Sequence, residues 1–234
     1  MSSPVSRQSD IQWIERFFLD EEGNGLLGVG LQSRILSIDT RSPLYIVSPQ
    51  FTWLQSLNQD YSFVINLRPG LYGDLRGNLS DDFRLEGVFF VDRILSGGWT
   101  LGLGAARGSN FGRVLTVPVL HAVYVGESSL LDALLPVKAE YWIMNSEHFE
   151  YGAIFSLVGS QYRIEDLTNT ADTLQFANGL IGPSARMKIQ DKFYIQLDAL
   201  FTVLRRYEVG LAENLAIQNT QAGPNLRLTM QLRY

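Results

Sequence analysis

The residues that could do chemistry are few. The chain of 234 residues has two histidines, His121 and His148, and no cysteine. Ser146, Glu147 and His148 supply the three residue types of a hydrolase relay. They are sequence neighbours in a short polar gap between two alternating segments, which reads as a tight turn. A relay needs its nucleophile and acid on opposite sides of the imidazole, and three turn neighbours do not converge that way. His121 lies in 113–124, a segment apolar on both faces, on the parity of Leu115, Val117 and Val119. It reads as an interfacial histidine near a strand end. The carboxylates Glu86, Asp132, Glu140 and Asp198 have the makings of an acid/base pair, but basic residues share their parity, and buried carboxylates need partners. Gly102, Gly104 and Gly108 precede no helix and no Lys-Ser/Thr pair, so they do not cradle phosphate. They read as places where crowding is relieved or a sheet bends. Asp81-Asp82 and Glu21-Glu22 read as solvated loop charge rather than calcium sites. No His/Cys/Asp spacing suits a metal. The expectation is no catalytic residue, no cofactor and no metal.

The elements that must carry these residues are strands. Successive strand side chains point to opposite faces, so a period of two marks one apolar and one polar face. In 44–54, Tyr45, Val47, Phe51 and Trp53 alternate with Ser48, Gln50 and Thr52. The same pattern recurs in 26–36, 62–72, 83–92, 99–106, 131–144, 149–162, 193–204 and 226–234, with Gly, Asp, Asn, Ser and Pro between the segments. Segment 173–187 is ambiguous, and Gly179, Gly182 and Pro183 suggest a bulge or kink there. Ile11–Asp20 reads as a first strand or a short amphipathic helix. Twelve antiparallel strands result, or ten with an N-terminal helix, in one all-β domain over 11–234 after a tail at 1–10.

Composition narrows the class. The formal charge is −5, from 24 acids against 19 bases, which disfavours a broad nucleic-acid surface. Mean hydropathy is +0.02 and no run of 18 apolar residues exists, so no helix is expected to span a bilayer. The apolar parity is rich in aromatics and nearly free of charge. The other parity holds Arg34, Arg68, Arg84, Glu86, Asp132, Lys138, Glu140, Glu150, Asp198, Arg227 and Arg233. Its bases are mostly arginine; Lys138, Lys188 and Lys192 are the only lysines. Arginine suits confined polar space because its planar fork satisfies several acceptors at once. A closed barrel with its polar face inward follows, these residues forming a charge network in the lumen. Asp132, Lys138 and Glu140, on one strand face, are expected at its constriction or plug.

The chain closes on Asn225-Leu226-Arg227-Leu228-Thr229-Met230-Gln231-Leu232-Arg233-Tyr234, alternating and ending on an aromatic. That ending resembles the C-terminal strand of bacterial outer-membrane β-barrels. The stretches Phe111–Leu120 and Leu130–Ala139 are similar to a family of functionally uncharacterised outer-membrane barrels common in Bacteroidetes-type bacteria. The resemblance implies an up-and-down transmembrane barrel in the outer membrane. Its partners would be membrane lipid, lipopolysaccharide and the barrel-assembly machinery, with Trp53, Tyr141, Tyr151 and Tyr234 as interface anchors. It implies no activity. Outer-membrane phospholipases pair their histidine with a serine two positions later on the same strand face; here that position is Val123. Residues 1–7 lead into polar sequence rather than an apolar signal core, so export would require a leader already removed. With the C-terminus periplasmic, turns near 39–43, 76–82, 108–112, 145–148 and 189–192 fall on its side. The connections 21–25, 55–60, 95–98, 125–130, 163–172 and 205–224 fall on the other. The expected function is a passive or weakly selective small-solute channel or a filled structural barrel. The alternatives are an outer-membrane lipid-modifying enzyme and a soluble all-β ligand-binding protein.

Overall fold

The computed structural model describes residues 6–18, 25–38, 43–76, 78–165, 171–190, 193–211, 214–218 and 224–232. They form one sheet of fourteen strands. In chain order these are β1 Ser6–Phe18, β2 Gly25–Ile38, β3 Leu44–Ser56, β4 Tyr61–Gly73, β5 Phe83–Ile94, β6 Trp99–Gly108 and β7 Leu115–Val125. They continue with β8 Ser129–Leu135, β9 Lys138–Met144, β10 Phe149–Glu165, β11 Ala171–Gln190, β12 Phe193–Leu211, β13 Asn214–Gln218 and β14 Pro224–Leu232. Sequence neighbours pair antiparallel from β1 to β13. β14 also pairs with β12, over Phe193–Phe201, while β13 takes Tyr207–Leu211, so the two share one position beside β12. A short helix, α1 Leu79–Asp82, precedes β5, with Asn78 as its cap accepting from the Ser80 amide.

Three features differ from the sequence expectation. The segment 131–144 is two strands: β8 and β9 form a hairpin through Pro136 and Val137, closed by Val137 N donating to Leu134 O at 2.8 Å. Residues 6–18 are a strand paired with β2 along their whole length, so these described residues form neither a tail to residue 10 nor a helix. The extra turn at Pro136 also reverses the end on which every earlier connection lies. The end toward which β14 runs, called here the turn end, carries the β3–β4, β5–β6, β7–β8 and β9–β10 connections at 57–60, 95–98, 126–128 and 145–148. The opposite loop end carries 74–82 and 109–114, which the sequence had assigned to the C-terminal side.

The register fixes what each face holds. The outer parity of β2 to β9 carries no charged side chain except Arg93, near the turn end, and Arg107, near the loop end. Large apolar residues stand exposed along it: Leu31, Phe51, Leu67, Phe89, Leu103 and Leu120 are each more than 40% accessible. The inner parity holds the buried polar residues Ser48, Gln50, Glu86, Asp92, Ser184, Arg186, Gln196 and Asp198. This distribution inverts that of an ordinary soluble domain, in which charge faces water and apolar surface is hidden.

Strands β4 to β10 close into a seven-membered ring. The closure is a parallel bridge between Gly73 and Arg163, with Asp74 N donating to Arg163 O at 3.2 Å. The short β8–β9 hairpin makes this possible. β7 meets β8 only from Leu120 onward, and β10 meets β9 only over Glu150–Ser156. Beyond that hairpin, β10 and β11 are covered on both sides. The consecutive residues Gly159–Ser160 and Phe176–Ala177 are all buried, which a half-solvated strand would not show. One side packs Tyr162, Ile164, Leu174 and Phe176 against Leu36, Leu44, Ile46 and Tyr72 of β2, β3 and β4. The other side meets the 109–114 loop. There Gly159 admits the Asn110 carbonyl where any Cβ would collide, and Val114 N donates to Gln161 Oε1 at 3.2 Å. The expected irregularity in 173–187 is a register shift at Gly179/Leu180 against β12.

Candidate functional site

The candidate site is the polar interior, built by the inner parity of β4 to β14. The sequence-predicted charges gather in four clusters rather than one constriction.

The first lies beside β10. The Arg68 guanidinium is 3.7 Å from Glu86 Oε2. Glu86 Oε1 accepts from Ser109 N at 3.0 Å and from Ser109 Oγ at 2.6 Å, which ties the 109–114 loop to β5. Arg84 donates to the Gln161 carbonyl and lies over the Tyr72 ring, 5.7 Å from its centroid. Arg163 of β10 pairs with Asp81 of α1, bringing the helix to the seam.

The second cluster is centred on His121, which sits on the inner face and not at an interface. Its Nδ1 is 2.8 Å from Asp92 Oδ1, and its Nε2 is 3.8 Å from Asp132 Oδ1. Asp132 Oδ2 takes a 2.7 Å bond from Lys138 Nζ. β6 separates Asp92 from His121, and the residue between them is Gly102, opposite both. A Cβ there would collide with the Asp92 carboxylate. Glycine is what lets the acid reach across a whole strand. Phe90 packs on the imidazole at 4.4 Å between ring centroids. The carboxylates lie toward opposite ring nitrogens, Asp92 within hydrogen-bonding distance and Asp132 beyond it, so the group orients the imidazole without converging on one ion. Among the described residues no set of three His, Cys, Asp or Glu is placed to hold a metal.

The third cluster turns on Trp142, which is 1% exposed. Its indole N–H donates to Glu140 Oε2 at 3.2 Å, and the Arg186 guanidinium lies 4.1 Å from its ring centroid. Arg186 pairs in turn with Glu150, its cross-strand neighbour. Glu140 therefore serves Trp142, not the Asp132–Lys138 pair. In the fourth cluster, Asp198 is wholly buried and accepts from Gln196 Nε2 at 2.8 Å, from Ser184 Oγ, and from Arg227 Nε at 2.6 Å. This joins β14 to β12.

Arg34 lines an interior cavity with Arg68 and Glu86. Arg233 and Tyr234 lie outside the described residues, as do Glu21 and Glu22. Trp53, Tyr141 and Tyr151 stand on the outer face, each a little over 40% exposed. His148 and Glu147 are exposed in the β9–β10 turn, where Ser146 Oγ accepts from the His148 and Phe149 amides at 3.4 and 3.0 Å. The serine caps a turn. Sequence reasoning left Asp92, His121, Trp142 and Arg186 out of the network. Asp92 already stood on the polar parity. The others needed the register, because their partners are non-local.

No curated protein and no solved structure matches the chain. Residues 40–234, which include β3 to β14, match the family described as a domain of unknown function, DUF6268. The match spans the ring, its seam and all four clusters, and the chain belongs to the DUF6268 family.

Proposed function

We propose that the protein is a bacterial outer-membrane β-barrel with a filled interior, a scaffold that admits small solutes at most. The observation that carries the reading is the inversion of the two faces. A charged side chain at the bilayer midplane of a barrel costs about 2–4 kcal/mol on the lipid side. The outer parity of β2 to β9 has none between Arg93 and Arg107. Exposed apolar surface on this scale marks a surface meant to be covered. Aromatics gather near the turn end of that face: Trp53 against Phe63, Trp99 against Tyr124, Phe149 near Tyr151, and Tyr61 under Arg93. Transmembrane barrels carry such girdles at the headgroup level. The short turns at that end and the longer, inward-folded loops at the other match the usual periplasmic and external ends.

The filled interior favours a scaffold over an open pore. The β10–β11 end packs on the inner faces of β2 to β4, the 109–114 loop lies against its other side, and paired charges line much of the rest. An enzyme acting on lipid is disfavoured, because His121 faces inward between two carboxylates and His148 sits in a turn.

The test is tryptophan fluorescence of protein refolded into vesicles containing brominated lipid. Trp53 and Trp99 on the outer face are expected to be quenched, and buried Trp142 spared. A protein that stays folded and monodisperse in buffer without detergent, and ignores vesicles, would overturn the reading in favour of a soluble all-β binding protein.

A further inference from the structure

Inside the protein, arginine meets an acceptor of the chain itself. Arg68, Arg163, Arg186 and Arg227 each face a carboxylate, and Arg84 donates to a carbonyl. The outer face of β2 to β9 is different, because it holds two arginines and no acid. Arg107 donates to Thr116 Oγ1 at 3.3 Å. Arg93 is exposed and lies over a ring, its guanidinium carbon 5.7 Å from the Tyr61 centroid. A ring face attracts the cation but accepts none of its five N–H donors in the guanidinium plane. Asp60, in the adjoining connection, forms no ion pair with Arg93. Arg93 is the last residue but one of β5, at the turn end. Tyr61 and Leu101 flank it across the two ladders, and Trp99, its diagonal neighbour on β6, packs on Tyr124. A cation with unspent donors thus stands among the aromatics of the outer face.

We propose that Arg93 is a binding site for an anionic phospholipid, whose headgroup phosphate it takes on its free N–H edge. The proposal rests on the membrane reading of the outer face. Phosphate oxygens match the guanidinium fork in a two-point contact. Tyr61 already holds that fork over its ring, so less freedom is lost on binding than at a bare surface arginine. The acyl chains then lie along the exposed side chains of Leu101, Phe89 and Leu103. A net negative headgroup is preferred, because a choline headgroup sets its own cation against the same phosphate.

The test is tryptophan quenching in vesicles of mixed phosphatidylglycerol and phosphatidylcholine, with brominated chains on one lipid or the other. Trp13 and Trp53 are replaced by Phe, so that Trp99 reports alongside the buried Trp142. Strand geometry sets the diagonal pair Arg93 and Trp99 about 7–8 Å apart, within reach of a lipid held at Arg93. At equal mole fractions, phosphatidylglycerol is expected to be preferred beside Trp99 by about fivefold, the scale of one basic residue at an anionic surface. Arg93→Gln brings the two lipids level. Arg113→Gln, which removes the same charge from an exposed position of the 109–114 loop, leaves the preference unchanged. Equal quenching by both lipids before substitution, or a preference that survives Arg93→Gln or is lost equally in Arg113→Gln, overturns the proposal and leaves the membrane reading standing. Quenching by neither lipid overturns the membrane reading, and the proposal with it.

Discussion

Replacing Arg227 should harm this protein more than replacing Asp198, although the two form one pair. The reason is their unequal exposure. Asp198 has no accessible surface, whereas the Arg227 side chain is 44% exposed. In Asp198→Asn, the amide oxygen still accepts from Ser184 and Gln196, and the released guanidinium turns to solvent. The loss is one charge-assisted bond to a half-exposed partner, about 1–2 kcal/mol. In Arg227→Met, a carboxylate stays buried with only Ser184 Oγ and Gln196 Nε2 to hold it. Stranding one member of a buried pair costs about 3–5 kcal/mol, and the two remaining donors reduce that to about 2–4 kcal/mol. The double variant removes the stranded charge, so it should be milder than the sum of the singles, with a coupling of about 1–3 kcal/mol. The assay is reversible urea unfolding of refolded protein, followed by tryptophan emission for wild type, both singles and the double. Equal costs for the singles, or coupling near zero, would refute the claim that this pair fastens β14 to β12.

Leu103, 68% exposed at the middle of β6, separates the membrane reading from the soluble one. Leu103→Lys should destabilise by about 2–4 kcal/mol in lipid, whereas a water-facing position would tolerate it within about 0.5 kcal/mol, as urea unfolding in vesicles would report. Gly102→Ala should cost about 1–3 kcal/mol, because its methyl displaces the Asp92 carboxylate from His121; the His121 ring signals in an NMR spectrum would move in this variant and not in Gly97→Ala, where a Cβ meets nothing within 4 Å. Gly159→Val should push Asn110 away and free the 109–114 loop, read as new protease cleavage within that loop while the wild type stays intact.

Much of the fold was legible because alternation reports facing without reporting partners. Phe63, Ile65 and Leu67 against Asn66 and Arg68 assigned β4 correctly, and the lumen charges from Arg68 to Arg227 stand on the inner parity. The same property hid the β8–β9 hairpin. Three residues, Leu135 to Val137, separate the last pair, and an odd number returns the chain with its parity unchanged: Leu134 pairs with Lys138, and Asp132 with Glu140. The pattern therefore ran smoothly from 131 to 144 through a reversal of direction. Pro136 was the available signal, since proline interrupts a strand's hydrogen-bond ladder. That single missed turn inverted the assignment of ends for every earlier connection. Partner identity was not legible at all. Asp92 reaches His121 only because β6 places Gly102 between them, a coincidence of three registers.

The shortness of that hairpin explains how the interior comes to be filled. A wall strand is half-buried along its length, and β10 obeys this over Glu150–Ser156 while β9 accompanies it. Past Ser156 it loses β9, and an unpaired edge in an apolar or crowded setting must find other partners. It finds them inside: Asp74 N, just past β4, donates to the Arg163 carbonyl, Val114 N donates to the Gln161 side chain, and Asp81 pairs with Arg163. The sequence prepares both surfaces for this. Tyr162 and Ile164 suit the apolar floor of β2 to β4, while Gly159 and Ala177 are small enough for the loop backbone to approach. The family match covers this arrangement, but begins after Gln32 and Arg34 of β2, which complete the cavity. Seam and clusters thus come from the matched region, whereas one of the two cavity arginines comes from a strand outside it. The ring, its seam and its clusters are therefore set within the matched region, and the cavity beside Arg68 takes part of its lining from outside it.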